Sequence, residues 1–233
     1  MERIQETKSG VLYSLWFIFV TAIFITSLIT SNIIACKLVS LWTLVFPASV
    51  IVFPVSYIVG DVLTEVYGYS RARLVIWLGF ICNLITVVAI WFAQIMPFAH
   101  FWTGQAAYEQ ILGVTPRLLV ASFIAYLLGE FANCFVLAKM KILTKGRWLW
   151  TRTIGSTVVG QGLDSAVFIT IAFLGNVPSQ IILSMIVTQW VLKSLYETAA
   201  TPLTYMVVNF LKEKENSDVY DRQTKFNPLL LFK

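Results

Sequence analysis

The sequence predicts an all-α integral membrane protein, built as a bundle of about six transmembrane helices. Of its 233 residues, 58% are hydrophobic and only 12% are charged. A soluble domain carries about 25% charged residues, so the charge here is too sparse to solvate a globule of this size. The excess apolar surface must therefore face lipid. The length of the apolar runs supports this prediction, since a spanning helix needs about 20 mostly apolar residues.

Six stretches meet the length of a membrane span: Val11–Ser31, Leu41–Val59, Leu74–Met96, Leu118–Ala138, Ile154–Leu174 and Ile181–Leu211. The second contains Pro47 and Pro54, which favour a broken or re-entrant backbone packed against protein or a wet cavity. The sixth is over-long and contains Pro202, which predicts a kink or an interfacial tail. We expect a six-helix transmembrane domain over residues 1–211 and a tail over residues 212–233.

The positive charges predict the orientation. Lys and Arg collect on the cytoplasmic side of membrane proteins. With the N-terminus inside, only Lys37 and Arg117 of the 17 Lys and Arg residues lie outside, and Lys193 lies within the sixth stretch. We therefore expect both termini and the tail to be cytoplasmic. This topology explains the net charge of +5 without a nucleic-acid partner, and the basic, Trp-containing loop Lys139–Arg152 is interpreted as a headgroup belt.

The cysteines and the missing motifs argue against an enzyme. Cys36, Cys82 and Cys134 are odd in number and far apart in apolar stretches, so we interpret them as small buried hydrophobic residues. The sequence contains no GxxxxGK[ST] phosphate loop, no HExxH metal motif and no GxSxG nucleophile motif. We expect no catalytic residues, no metal and no cofactor.

Three of the apolar stretches carry polar side chains where lipid should be. Ionisable residues at bilayer depth cost about 2.5–3.5 kcal/mol each on insertion scales, so each needs a partner or a function. The spacings of three and four place each set on one helical face. The sets are Ser122, Tyr126, Glu130 and Asn133 in the fourth stretch, Thr157, Gln161 and Asp164 in the fifth, and Gln189, Lys193 and Glu197 in the sixth. We expect the three stripes to face one another around a common cavity.

Two interpretations of these stripes are open. Polar side chains can hydrogen-bond between membrane helices, and Lys193 and Glu197 could neutralise each other as an intramembrane ion pair. Two carboxylates and two amides exceed what packing needs, which favours a small polar ligand or a proton relay. That set is Glu130, Asn133, Gln161 and Asp164.

A further pair of carboxylates, Asp61 and Glu65, lies four residues apart after the second stretch. The pair shares one face if the segment is helical. Residue chemistry alone predicts a solvated helix end that pairs with Arg71 or Arg73, where such pairs contribute about 0–1 kcal/mol.

Several stretches together resemble the queuosine precursor transporter family, also called the vitamin uptake transporter family. The resemblance covers nearly the whole chain, and its most specific parts are the DVLTEVYGY and GST…GQ…DS elements. The stretches are Ser31–Leu41, Phe53–Arg73, Gly129–Cys134, Arg152–Phe168 and Asp218–Pro228.

This resemblance implies a multi-pass transporter of the bacterial inner membrane that imports 7-deazaguanine bases for tRNA modification. The substrates would be 7-cyano-7-deazaguanine, 7-aminomethyl-7-deazaguanine or queuine. A guanine-like base offers donors that a carboxylate accepts, a carbonyl that an amide donates to, and a flat ring for stacking. The candidates for these three roles are Glu130 or Asp164, Gln161 or Asn133, and Tyr126 or Trp190, respectively. The resemblance also favours Asp61 and Glu65 as a gate or inner mouth.

Other functions remain open from the sequence. The chain could be the substrate-binding membrane subunit of a vitamin uptake system energised by a separate ATPase. It could also be a non-transporting scaffold whose intramembrane charges bind partner helices. Proton coupling, facilitated entry and a homo-oligomeric state are equally compatible with the sequence.

Overall fold

The computed structural model describes residues 14–35, 37–41, 44–113, 116–175 and 178–230. Apart from one short hairpin, the regular elements within these ranges are helical. They are α1 (Leu15–Ile34), β1 (Leu38–Leu41), β2 (Leu44–Pro47), a 3₁₀ turn (Ala48–Ile51), α2 (Phe53–Tyr67), α3 (Tyr69–Ile95), α4 (Gln105–Leu112), α5 (Pro116–Leu143), α6 (Leu149–Phe173) and α7 (Ser179–Glu215). The two strands pair antiparallel, with Leu38 opposite Pro47.

Four helices in the described residues are long and apolar enough to cross a membrane, namely α1, α3, α5 from Leu119 onward, and α6. They match four of the predicted stretches, and the protein is an all-α membrane protein with several passes. The first predicted stretch began at Val11, and residues 11–13 lie outside the described ranges. α1 begins at Leu15, where the Ser14 hydroxyl accepts a hydrogen bond from the Phe17 amide at 3.0 Å.

The second predicted span, Leu41–Val59, is not a continuous helix. Its described residues form the end of β1, β2, the 3₁₀ turn and only the first half of α2, and residues 42–43 lie outside the described ranges. With 15 residues, α2 is about 22 Å long, shorter than the roughly 30 Å apolar core of a bilayer. Pro47 ends β2, and Pro54 lies in the first turn of α2, where a missing amide hydrogen costs little. The two prolines therefore mark the breaks.

α2 lies in the middle of the bundle and contacts α1, α3, α5 and α7. One of its faces packs into an apolar core with α1, α3 and α5, through residues that include Val62 and Val66. Its other face carries Tyr57, Asp61 and Glu65, which are also buried. α2 thus presents one apolar face and one polar face to the helices around it.

The sixth predicted span is a single helix that continues through Pro202 to Glu215. With 37 residues, α7 is long enough to span a bilayer, although its composition is less apolar than that of the four spanning helices. The following residues, 216–230, form a tail that folds back onto the bundle. The predicted tail began at residue 212, within what is the last turn of α7, and residues 231–233 lie outside the described ranges.

The tail packs at the end of the bundle that holds the α2–α3 turn and the α5–α6 turn, which we call the basic end. Gly68 makes the α2–α3 turn with φ +83°, a conformation that favours glycine. A methyl group on Gly68 would also lie 2.7 Å from Val219 of the tail. The Arg73 guanidinium donates to the carbonyls of Lys225 and Asn227 at 2.9 and 2.8 Å.

The cysteines fit the prediction where they are described. Cys134 is buried and Cys82 is half-buried, and both are free thiols. Cys36 lies outside the described residues.

Candidate functional site

The polar face of α2 is enclosed, not solvated. Tyr57, Asp61 and Glu65 follow one another at intervals of four and share one face, with exposed fractions of 1%, 4% and 0%. The prediction of a solvated helix end was wrong, because four other helices surround α2. Within the described residues, neither carboxylate pairs with Arg71 or Arg73.

Around Asp61 lies a set of polar side chains that we call the interior cluster. It contains four carboxylates, two amides, one ammonium group and one phenol, each at least nine-tenths buried. Its members are Tyr57, Asp61, Glu130, Asn133, Gln161, Asp164, Lys193 and Glu197. The cluster draws on α2, α5, α6 and α7, so members of all three predicted polar stripes lie together in it.

Lys193 and Asp61 both have partners on neighbouring helices. The Lys193 ammonium lies 2.6 Å from Asp164 Oδ2, which links α7 to α6. The predicted ion pair of Lys193 with Glu197 was therefore wrong. Residues four apart on α7 suggested that pair, but packing turns Lys193 toward α6. Asp61 Oδ1 accepts a hydrogen bond from Asn133 Nδ2 at 2.7 Å, which links α2 to α5.

Glu197 is held by two neutral donors. Its Oε2 accepts a hydrogen bond from the Thr157 hydroxyl at 2.5 Å, and its Oε1 accepts one from the Gln161 amide nitrogen. Both donors come from the predicted stripe on α6. Three of the four carboxylates of the cluster are therefore paired.

Glu130 is the exception. It is 1% exposed, and neither of its carboxylate oxygens has a hydrogen-bond partner. The Asn133 Oδ1, the Gln161 Oε1 and the Tyr57 hydroxyl are also buried without a partner. Buried polar groups in folded proteins are nearly always hydrogen-bonded to protein, water or ligand, so this concentration of unpaired atoms marks a candidate site for polar guests.

Glycines allow the helices to approach one another at the cluster. A methyl group on Gly129 would lie 2.7 Å from the Tyr57 hydroxyl, 2.8 Å from Asp164 Cβ and 3.0 Å from the Gly160 carbonyl. A methyl group on Gly60 would overlap Glu130 Oε1. The absence of side chains at these positions brings α2, α5 and α6 together.

One turn further along α2, Glu65 lies at the centre of a second set of charges, which we call the Glu65 network. It consists of Glu65, Lys141, Arg152, Lys212 and Asp218. Arg152 donates to both Glu65 oxygens, at 2.8 and 2.7 Å, and the Lys212 ammonium lies 2.6 Å from Oε1. Both oxygens of this buried carboxylate are therefore paired, in contrast to Glu130.

The tail completes the Glu65 network. Asp218 lies 2.7 Å from the Lys141 ammonium and 2.8 Å from that of Lys212. Partial burial raises the pKa of the Asp218 carboxyl, but hydrogen bonds from Lys141 and Lys212 outweigh that effect and hold the pKa below its ordinary value. Tyr69, at the start of α3, adds a backbone hydrogen bond to Asp221 at 2.9 Å.

The two aromatic candidates lie at the border of the interior cluster. The Tyr126 hydroxyl donates to the Ile76 carbonyl at 3.0 Å, within the apolar core. The Trp190 indole donates to the Val158 carbonyl at 2.8 Å, on the partly exposed side of α6 and α7. Neither polar group is free to bind a ligand.

Tyr57 and the cations of the Glu65 network were not among the predicted site residues. The spacing of Tyr57 four residues before Asp61 was the available signal for the first. Lys141, Arg152 and Lys212 were assigned to solvated cytoplasmic flanks, which concealed their burial against Glu65. Within the described ranges, no group of three or more His, Cys, Asp or Glu side chains is arranged to hold a metal ion.

A buried polar cluster between membrane-spanning helices defines a multi-pass membrane protein with an enclosed polar site. The model of a family described as "Putative vitamin uptake transporter" matches residues 47–207. The chain belongs to this family, which confirms the resemblance seen in the sequence.

Two curated relatives are similar to the chain. A protein of Bacillus subtilis (strain 168) named "Probable queuosine precursor transporter" is 28% identical over 190 residues, which cover 81% of this chain and 83% of the relative. A protein of Escherichia coli (strain K12) named "Queuosine precursor transporter" is 27% identical over 121 residues, 52% of each chain. No solved structure matches the chain.

Proposed function

We propose that this protein imports queuosine precursors, 7-deazaguanine bases, across the bacterial inner membrane for tRNA modification. The names of the two relatives support the substrate class. In this proposal the interior cluster is the substrate site, both termini are cytoplasmic and no chemical reaction is catalysed.

The single observation that carries the site assignment is the unpaired Glu130 carboxylate. Asp164, Asp61 and Glu197 each hold a partner within the protein, whereas both Glu130 oxygens lack one. Two oxygens of one carboxylate match the adjacent N1–H and exocyclic amine of a guanine-like base. We therefore assign the guanidine-like edge of the base to Glu130 rather than to Asp164.

The other roles follow from the remaining free atoms. Asn133 and Gln161 already donate to Asp61 and Glu197, and their free oxygens accept further donors of the ligand. In place of Tyr126 or Trp190, we assign stacking to the rings of Phe53 and Tyr57, whose centroids are 5.4 Å apart. The Lys193 ammonium lies 4.4 Å from the centre of the Phe53 ring, which places that ring pair beside the cluster.

We assign the inner gate to Asp61 and Glu65. The Glu65 network joins α2, α5, α6, α7 and the tail at the basic end, one turn from Asp61. For a base to leave the interior cluster at that end, these ion pairs must separate. Asp61→Asn is expected to slow release of a preloaded base from vesicles more than it weakens binding. Equal loss of both would contradict a gate.

The function is tested in a strain that can neither make nor import the precursors. Wild-type protein should restore queuosine in tRNA when a 7-deazaguanine base is supplied, and Glu130→Gln should not. Glu109→Gln is the matched control, since Glu109 is an exposed carboxylate on α4. Normal queuosine levels with Glu130→Gln, at wild-type abundance in the membrane, would overturn the site assignment.

Uptake by the purified chain in lipid vesicles distinguishes a transporter from the two alternative functions. A subunit that depends on an ATPase would accumulate no base without its partner, and a scaffold would accumulate none at all. Accumulation of labelled base by the purified chain is the expected result.

A further inference from the structure

The tail lies across the basic end of the bundle. Two consecutive side chains of the tail contact the glycines of both turns there. A methyl group on Gly68, in the α2–α3 turn, would lie 2.7 Å from Val219. A methyl group on Gly146, in the α5–α6 turn, would overlap the Tyr220 hydroxyl. The tail therefore bridges the two turns at the end of the bundle that holds the Glu65 network.

Lys141 connects the tail to the proposed gate. Its ammonium donates to the backbone carbonyl of Glu65 at 2.5 Å and to that of Val219 at 2.8 Å. The ammonium groups of Lys141 and Lys212 also share two acceptor atoms, Glu65 Oε1 and Asp218 Oδ1, at distances from 2.6 to 3.4 Å. A continuous series of contacts thus runs from Glu65 through the two lysines to the tail.

The tail supplies one of the two carboxylates of the Glu65 network. Three cations, one each from α5, α6 and α7, converge on Glu65 and Asp218. If the tail detaches, Asp218 leaves with it, and the three cations share Glu65 alone. Like charges repel more strongly where water is largely excluded. Detachment therefore favours separation of α5, α6 and α7 at this end.

The contacts that hold the tail are mostly hydrogen bonds rather than apolar packing. Of residues 216–230, only Asp221 is fully buried, and the segment forms neither helix nor strand. Side chains of the bundle donate to backbone carbonyls of the tail, namely those of Val219, Lys225, Phe226, Asn227 and Pro228. Segments with little buried apolar surface open at free energies well below that of global unfolding. The tail can therefore leave the bundle while the helices stay packed.

We propose that the tail is the moving part of the inner gate and must detach from the two turns before the Glu65 network can separate. Resting on the proposed function, this adds a moving segment to the gate residues Asp61 and Glu65. With the tail seated, Asp218 and the Val219 carbonyl hold the lysines beside Glu65. With the tail detached, repulsion among the three cations opens the end of the bundle for release of the substrate.

The seating of the tail is tested without any substrate. In the purified full chain, Val219→Cys places a thiol against Gly68, where it reacts with a maleimide only when the tail detaches. Gln223→Cys is the matched control, since Gln223 is exposed on the same segment. The mass of each labelled peptide reports the rate at the introduced thiol. Equal rates for the two thiols would overturn the proposal.

Loosening the tail should raise the first rate alone. Asp221→Ala removes the acceptor of the Tyr69 backbone amide, which lies 2.9 Å from Asp221 Oδ2. A hydrogen bond to a charged group contributes about a factor of ten to an equilibrium, so Val219→Cys should react about tenfold faster. Gln223→Cys should react at an unchanged rate.

The role in release is tested by fixing the tail to the bundle reversibly. The rings of Phe135 on α5 and Phe226 on the tail have centroids 5.3 Å apart. In a full chain with Phe135→Cys and Phe226→Cys, a short bifunctional thiosulfonate reagent can link the two thiols in detergent, and a reductant removes the link. After reconstitution into vesicles, uptake of a labelled 7-deazaguanine base should be lost in the linked protein and return on reduction. The two single variants, treated with the same reagent, are the controls.

Each outcome decides between the gate and a fixed anchor. Equal uptake by the linked and the reduced protein would overturn the moving tail and leave the proposed function intact. Addition of the base should also speed the labelling of Val219→Cys, which keeps the proposal testable if the double variant does not fold. An unchanged labelling rate with base present would overturn it. No uptake by the wild-type chain would instead overturn the proposed function, and the release role of the tail with it.

Discussion

Two carboxylates of one helix, Asp61 and Glu65, belong to regions of opposite character. Around Glu65, the oxygens of the carboxylate are taken up by Arg152, Lys141 and Lys212. Around Asp61, the interior cluster leaves four acceptor atoms without partners, two of them on Glu130. Asp61 and Glu65 are both nearly fully buried, so burial does not distinguish a candidate binding site from a structural ion-pair network. The two regions differ in whether their buried carboxylate oxygens have partners.

The same helices build both regions. α5, α6 and α7 each supply a cation near the basic end and acidic or amide groups one or more turns deeper. Charged side chains cost less near the ends of membrane helices than at bilayer depth, which fits the collection of cations at this end.

The largest expected effect comes from replacing Glu65, the central carboxylate of the Glu65 network. Glu65→Gln leaves Arg152 and Lys141 buried beside a neutral side chain, and breaking a buried ion pair costs about 3–5 kcal/mol. We expect a sharp fall in membrane abundance and in the thermal unfolding midpoint in detergent. Glu130→Gln is the comparison variant, and its stability should be equal to or higher than that of the wild type, because no partner is lost and a buried unpaired carboxylate is removed. Equal destabilisation by the two variants would remove the distinction between the regions.

A smaller loss of stability is expected when the helices that hold the interior cluster are forced apart. Gly129→Ala places a methyl group 3.0 Å from the Gly160 carbonyl, which belongs to backbone and cannot swing away. Overpacking of this kind costs about 1–3 kcal/mol, measured as a lower unfolding midpoint. Gly155→Ala is the control, since its methyl group would meet the flexible Met140 thioether. A milder effect at Gly129 than at Gly155 would contradict the close packing.

Gly60→Ala should affect transport with little effect on stability. The added methyl group overlaps the end of the flexible Glu130 side chain, which can move aside, so the carboxylate is displaced without unfolding. Loss of one charged hydrogen bond predicts uptake lower by about tenfold, measured in vesicles with 7-aminomethyl-7-deazaguanine. Uptake at the wild-type rate would show that the position of the Glu130 carboxylate does not matter.

The smallest effect is expected at Asp218, which lies at the exposed edge of the Glu65 network. The pKa of Asp218 is lowered in the folded protein, so its carboxylate contributes stability above its unfolded pKa of about 3.9 and loses that contribution as pH falls. Because Asp218 is half exposed, screening limits the contribution to less than about 1 kcal/mol. Asp218→Asn should therefore lower the unfolding midpoint slightly at pH 7, with a difference that shrinks below about pH 4. A difference that grows on acidification would contradict this sign.

The spanning helices and the polar stripes were predictable because both depend on local patterns. A run of about 20 apolar residues and a spacing of three or four residues are visible without any partner. The break in the predicted span Leu41–Val59 was signalled by Pro47 and Pro54, although its form as a hairpin and a short helix was not. Trp190 was assigned to the site on residue type alone. In the structure its indole donates a hydrogen bond to the Val158 carbonyl.

The sequence by itself determined that this protein spans a membrane, which helices are apolar and which faces of them are polar. Only the tertiary structure decided which charges are paired. Arg152 and Lys212 are 87 and 147 residues away from Glu65 in the chain. Lys193 forms its ion pair with Asp164 on α6 rather than with Glu197 on its own helix. Composition and periodicity are properties of a segment, whereas ion pairing depends on which segments pack together. For the same reason, Glu130 could be recognised as the unpaired carboxylate only after the partners of the others had been located.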